Sequence, residues 1–144
     1  MPDAAPAPKR ILIVDDEAAV IEVLTEFFRQ FEHGHTYAIE TASNGTDGYM
    51  AFLKQRPDLV LLDMNMPGMD GLQLLKQIRA LDTRVPVMMV TANEDTKMAA
   101  EAQTTGIFAY VPKPFDFRHL DLLVSLVLQQ SRPAGGGPGG APAR

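Results

Sequence analysis

The stretch LVLLDMNMPGMDG, residues 59–71, opens with a wholly apolar run (59–62), stops at an acid, Asp63, and then turns through Pro67-Gly68. A run this short, apolar at every position and bounded by turn chemistry, reads as a strand buried on both faces. Two more runs read the same way: ILIV (11–14) ahead of Asp15, Asp16 and Glu17, and VMMV (87–90) ahead of Thr91. Residues 37–42 and 108–111 predict two further strands. Between the strands the period changes to that of a helix. Val20, Val23, Leu24, Phe27, Phe28 and Phe31 recur at helical spacing, and 45–55 predicts a weaker helix. Residues 71–81 place Leu74, Ile78 and Leu81 on one face, whereas 95–104 offers mostly Ala and Met. A last helix carries Phe117, Leu120, Leu123, Val124, Val127 and Leu128. Strands apolar on both faces, alternating with helices, predict a doubly wound α/β domain around a five-stranded parallel sheet.

Composition narrows the function. The 144 residues carry 13 Lys+Arg against 18 Asp+Glu, a net charge of −5, and no Cys. Disulfide frameworks, zinc–cysteine sites and thiol catalysis are excluded, and mild acidity argues against a nucleic-acid footprint. No apolar run approaches the ~20 residues of a membrane span. The outer segments hold 6 of the 11 Pro and 5 of the 11 Gly, so 1–9 is expected to be a disordered extension and 133–144 a flexible tail or linker. Residues 10–132 suffice for one domain with a proper core, expected to be cytoplasmic.

Right-handed crossovers bring the carboxyl ends of parallel strands to one edge, where ligands bind. That rim collects Asp15, Asp16 and Glu17 after the first strand, Asp63 after the third, Thr91 after the fourth and Lys113 after the fifth. In the strand order 2-1-3-4-5 the first and third strands are neighbours, about 4.8 Å apart, so Asp15 and Asp16 face Asp63. Lys113 is two strands from Asp63, and its long stem can span that second gap. Two carboxylates ~4 Å apart repel by roughly 4 kcal/mol at an effective dielectric of ~20. Three together protonate in part or bind a cation, and Mg²⁺, which keeps several waters, suits a shallow rim of oxygen ligands. With Lys113 balancing charge, Thr91 supplying a hydroxyl and an Asp carboxylate as nucleophile, the rim is expected to accept a phosphoryl group.

Four segments, ILIVDDE (11–17), LVLLDMNMPGMDG (59–71), VMMVTAN (87–93) and AYVPKPF (109–115), resemble the receiver domain of two-component response regulators, the CheY-like family. The resemblance covers residues 10–130 in order and spacing, and implies a flavodoxin-like sheet of order 2-1-3-4-5. It implies that Asp63 is the phosphoacceptor, served by a histidine kinase or histidine phosphotransfer protein. Asp16 would ligate Mg²⁺ directly, Asp15 through water or jointly, and Asn65 through its backbone carbonyl. Lys113 would pair with the phosphoryl group, and its bond to Pro114 would be cis. Thr91 would move onto a phosphoryl oxygen, Tyr110 would rotate into the space released, and the small Ala92 would leave the group reachable. Asn65 and Asn93 occupy positions similar to those that tune dephosphorylation. The face built from the fourth helix, fifth strand and final helix would then dock a downstream protein or effector domain.

Plainer roles stand beside these. Asp15-Asp16-Glu17 and Thr91 suit helix caps, Asp63 suits a turn, and Tyr110 suits a half-buried strand. Met64, Met66, Met69, Met88 and Met89 read as packing, and His33, His35 and His119 as solvated. Asp63-Met64-Asn65 opens like a calcium loop, but the twelfth position is Leu74 where a Glu is required. An aspartyl-nucleophile phosphatase is disfavoured because Asn65 stands where its acid/base Asp belongs, and a nucleotide-binding domain because no Gly-rich loop follows the first strand. The domain is therefore expected to be a switch and not an enzyme. It is either a stand-alone regulator or the receiver portion of a longer chain joined through the Gly/Pro tail.

Overall fold

Every residue of the runs 11–14, 59–62 and 87–90 is buried in the computed structural model, which describes residues 7–31, 35–92 and 96–130. These runs form the middle of one parallel sheet. β1 (Lys9–Val14) lies between β2 (Tyr37–Ala42) and β3 (Leu59–Leu62). β4 (Val87–Thr91) follows β3, and β5 (Ala109–Pro112) forms the far edge, so the order is β2-β1-β3-β4-β5. The intervening helices are α1 (Ala18–Gln30), α2 (Gly45–Lys54), α3 (Gly71–Leu81), α4 (Thr96–Thr105) and α5 (Phe117–Gln130). This is the five-stranded, doubly wound α/β fold that the apolar runs predict.

Alternation along each strand divides the core in two. Leu12, Val14, Val60, Leu62, Val87 and Met89 pack with Phe52, Leu74, Leu75, Ile78 and Ala102, from α2, α3 and α4. Ile11, Ile13, Leu59, Leu61, Met88 and Val90 pack with Leu24, Phe27 and Phe28 of α1 and with Leu120, Val124 and Val127 of α5. Phe27 holds this second layer together, with ring centroids 5.0, 4.8 and 5.3 Å from those of Phe28, Phe31 and Phe117.

Several expected positions shift. Val23 and Leu81 are 42% and 44% exposed, not core. The buried face of α1 is the narrow stripe Leu24, Phe27 and Phe28, and that of α3 ends at Ile78, a turn before Leu81. Thr91 is the last residue of β4 instead of standing after it. β5 runs one residue later than predicted and takes in Pro112, which an edge strand tolerates because it has an open side. His33, Gly34, Asn93, Asp95, residues 1–6 and the tail from 131 onward lie outside the described residues.

Candidate functional site

The backbone ladder continues past the strand ends and fixes the rim. The Asp15 N–H donates to Ala42 O (3.0 Å), Asp63 N–H to Val14 O (2.9 Å) and Lys113 N–H to Thr91 O (3.0 Å). Each residue is thereby anchored by the strand beside it, and each side chain is delivered to the same edge. Carboxylate oxygens of Asp15, Asp16 and Asp63 all lie within 4.8 Å of one another. Asp15 and Asp63 are 1% and 4% exposed, whereas Asp16 faces solvent. Lys113 Nζ sits 2.9 Å from Asp15 Oδ2, 3.1 Å from Glu17 Oε1 and 3.5 Å from Asp63 Oδ2. The other oxygens are also held: Asp15 Oδ1 accepts the Glu17 N–H at 2.9 Å, and Asp63 Oδ1 accepts the Asn65 N–H at 3.2 Å.

The electrostatics are lopsided. Burial pushes the Asp15 carboxyl above its usual range; the Glu17 N–H and Lys113 pull it back, and the Asp63 charge adds to the rise. Burial works against the Lys113 ammonium too, but its hydrogen bonds to Asp15 and Glu17 and the nearby Asp63 outweigh this and raise its pKa. Four acids, Asp15, Asp16, Glu17 and Asp63, crowd around one ammonium, so negative charge is left over. The oxygens of Asp15, Asp16 and Asp63 form a hard donor set that can hold a divalent cation.

The remaining predicted residues surround this cluster. Thr91 is buried at the end of β4, in register with Pro112, and Ala92 is exposed just beyond it. The Lys113–Pro114 bond is cis. Asn65 is exposed in the loop after β3. Tyr110, in register with Met89, is half-buried against the layer under α2, α3 and α4. Helix capping at α1 comes from the main chain: Glu17 is the N-cap, and its side chain makes no capping bond.

Sequence reasoning missed one contributor, Gly71, and one contact of another, Glu17. Gly71 begins α3 so close to the Asp63 strand end that a Cβ there would stand 2.1 Å from Asp63 O. Its N–H donates to Met64 O (2.9 Å), which closes the loop 63–70 and sets the direction in which Asp63 leaves β3. The available signal was a glycine directly behind the N-cap Asp70, where a better helix former would ordinarily stand. Glu17 was placed on the rim, but its bond to Lys113 depends on a spatial neighbour 96 residues away.

A parallel sheet in this order, with an acidic cluster and a lysine at its carboxyl edge, defines a receiver-type domain. The profile of the response regulator receiver domain matches residues 11–125, and the chain belongs to that family. It is 42% identical over 123 residues to Regulatory protein AtoC of Escherichia coli (strain K12), covering 85% of this chain and 26% of that protein. It is 38% identical over 108 residues to Sporulation initiation phosphotransferase F of Bacillus subtilis (strain 168), covering 75% and 84%. A CheY-like receiver domain from Methanospirillum hungatei JF-1 superimposes with a TM-score of 0.79 at 26% identity, covering 87% of this chain and 97% of that one. The CheX-CheY-BeF3-Mg+2 complex from Borrelia burgdorferi gives 0.75 at 28% identity, covering 84% and 90%. The chain therefore spans only about a quarter of AtoC but most of the shorter Bacillus protein.

Proposed function

We propose that this chain is a Mg²⁺-dependent phosphoacceptor switch in a two-component phosphorelay, modified on Asp63. The observation that carries this reading is the nearly buried Asp63 carboxylate, within 4.8 Å of the Asp15 and Asp16 oxygens and 3.5 Å from the Lys113 ammonium. An Asp63 oxygen attacks the phosphorus of a phosphohistidine on a histidine kinase or histidine phosphotransfer protein. The new O–P bond forms as the P–N bond breaks, and the imidazole leaves. Asp15, Asp16, Asp63 and the Asn65 carbonyl would hold Mg²⁺, which when bound neutralises charge on the phosphoryl oxygens. The Borrelia neighbour, a complex with BeF3 and Mg+2, supports the same metal here.

Lys113 balances the phosphoryl charge from the β5 side, and the Thr91 hydroxyl donates to a phosphoryl oxygen. Tyr110 turns inward as Thr91 moves, and the face formed by α4, β5 and α5 changes for a downstream protein or effector domain. Ala92 keeps the group reachable, while Asn65 and Asn93 tune its loss to water. Such a domain turns over nothing except its own phosphoryl group, in the cytoplasm. Residues 10–132 form the switch, with 1–9 as an extension and 133–144 as a tail. The match to about a quarter of AtoC favours a second arrangement, in which that tail leads to an effector domain.

Intact mass after treatment with acetyl phosphate and Mg²⁺ tests the proposal. Wild type should gain one phosphoryl group, chelation should prevent it, and Asp16→Ala should weaken it. Asp63→Asn should abolish it, and labelling of that variant at the wild-type level would overturn the assignment.

A further inference from the structure

The Lys113 ammonium has three N–H donors. Its hydrogen bonds go to Asp15 at 2.9 Å and to Glu17 at 3.1 Å, while Asp63 stands further off at 3.5 Å. Glu17 is the unexpected partner, because its side chain is 61% exposed and an exposed glutamate gains little from one surface contact. The local backbone explains how it gets there. The Glu17 N–H donates to Asp15 Oδ1, which turns the chain tightly after β1. The Glu17 carbonyl accepts from Val20 N (3.1 Å) and Ile21 N (3.2 Å), so the main chain starts α1 without help from the side chain. The Glu17 carboxylate is thus relieved of capping and meets a lysine whose side chain is only 12% exposed.

We propose that Glu17 is a resting-state tether for Lys113: it holds the ammonium on the Asp15 side of the rim, short of Asp63, and is given up when Asp63 carries a phosphoryl group. This rests on the phosphoacceptor reading of the same site. A phosphoryl group on Asp63 offers Lys113 more negative charge and more acceptor oxygens than a carboxylate does. Asp63 stands 3.5 Å from the ammonium and is not hydrogen-bonded to it, so Lys113 shifts towards the phosphoryl oxygens and its 3.1 Å contact with Glu17 loosens. A contact made in one state and lost in the other biases the equilibrium towards the first by its differential free energy. Glu17 therefore shortens the phosphorylated state. Because Glu17 is also the N-cap residue of α1, its release leaves an unpaired carboxylate at the start of that helix, beside the rim and away from the face of α4, β5 and α5.

Three substitutions read this. With acetyl phosphate and Mg²⁺, Glu17→Gln should lengthen phosphoryl lifetime and raise the phosphorylated fraction by about two- to fivefold, the scale of a partly exposed ion pair. Glu17→Asp keeps the charge but loses the reach, so it should behave like Glu17→Gln; wild-type behaviour would mean simple charge repulsion and overturn the tether. In a Lys113→Met background, Glu17→Gln should have no effect on lifetime, and an undiminished effect there would equally overturn it. A double-mutant cycle of Glu17→Gln and Lys113→Met in thermal unfolding of the unmodified protein reads the resting pair without any phosphoryl group. Favourable coupling is expected, and zero coupling in a protein that phosphorylates normally defeats the tether alone. If wild type accepts no phosphoryl group although the coupling is present, it is the phosphoacceptor reading that fails, and the release step with it.

Discussion

At the scale of single residues, the buried Asp15 and the half-buried Lys113 have opposite consequences for stability. The Asp15 carboxyl is raised above its usual 3.8 by burial, so the folded state holds its proton more tightly than the unfolded state does. Its contribution to stability is greatest below that value and is lost as pH rises through the raised one. Once ionised, the side chain favours folding less than its protonated form does, and Asp15→Asn, which stays neutral, should raise the melting temperature followed by circular dichroism. The same variant should lose Mg²⁺-dependent phosphorylation, the expected exchange of function for stability. Lys113 is raised above 10.5, because the bonds to Asp15 and Glu17 outweigh its burial. Its stabilisation is complete below 10.5 and disappears as pH climbs through the higher folded value. Alkaline titration of the melting temperature should therefore be shallower in Lys113→Met than in wild type.

At the scale of elements, the segment from β3 to α3 is tightly determined. The Asp70 carboxylate accepts the Gln73 N–H at 2.9 Å while Gln73 reaches back to the Asp70 N–H, a capping box. Asp70→Ala should cost about 1 kcal/mol in denaturant unfolding and leave phosphoryl acceptance near wild type. Gly71→Ala is different, because its Cβ has nowhere to go against Asp63 O. It should cost about 1–3 kcal/mol and also slow phosphoryl acceptance by re-aiming Asp63. The elements themselves were legible where burial is two-sided: the central strands are apolar at every position, and no surface constraint blurs them. α4 was read with less support because Ala102 is its one buried residue among those described. Val23 and Leu81 were misplaced because a repeating apolar pattern marks a wider face than the one a helix buries. Thr91 was placed past β4 because a polar residue usually ends an apolar run, yet here the ladder extends through it.

At the scale of the whole molecule, two core layers clamp one sheet, and its carboxyl edge gathers charge that neither layer can neutralise. A bound cation relieves that crowding and stabilises the folded state by mass action, about 2.7 kcal/mol at a hundred times the dissociation constant. Differential scanning calorimetry should show the melting temperature rising with Mg²⁺ in wild type and nearly flat in Asp16→Ala. The proximity of Asp15, Asp16 and Asp63 followed from the sequence once strand order was supposed, because β1 and β3 are neighbours. The Glu17–Lys113 bond did not, since β1 and β5 are separated by two strands and nothing in their spacing tells how a long side chain crosses them. The rim joins Lys113 to Asp15 across 98 positions of chain. During synthesis Asp63 emerges well before Lys113, so a half-made chain would present its acids without their counter-charge. The rim is therefore complete only once β5 has been made, so its charge balance depends on the whole sheet having assembled.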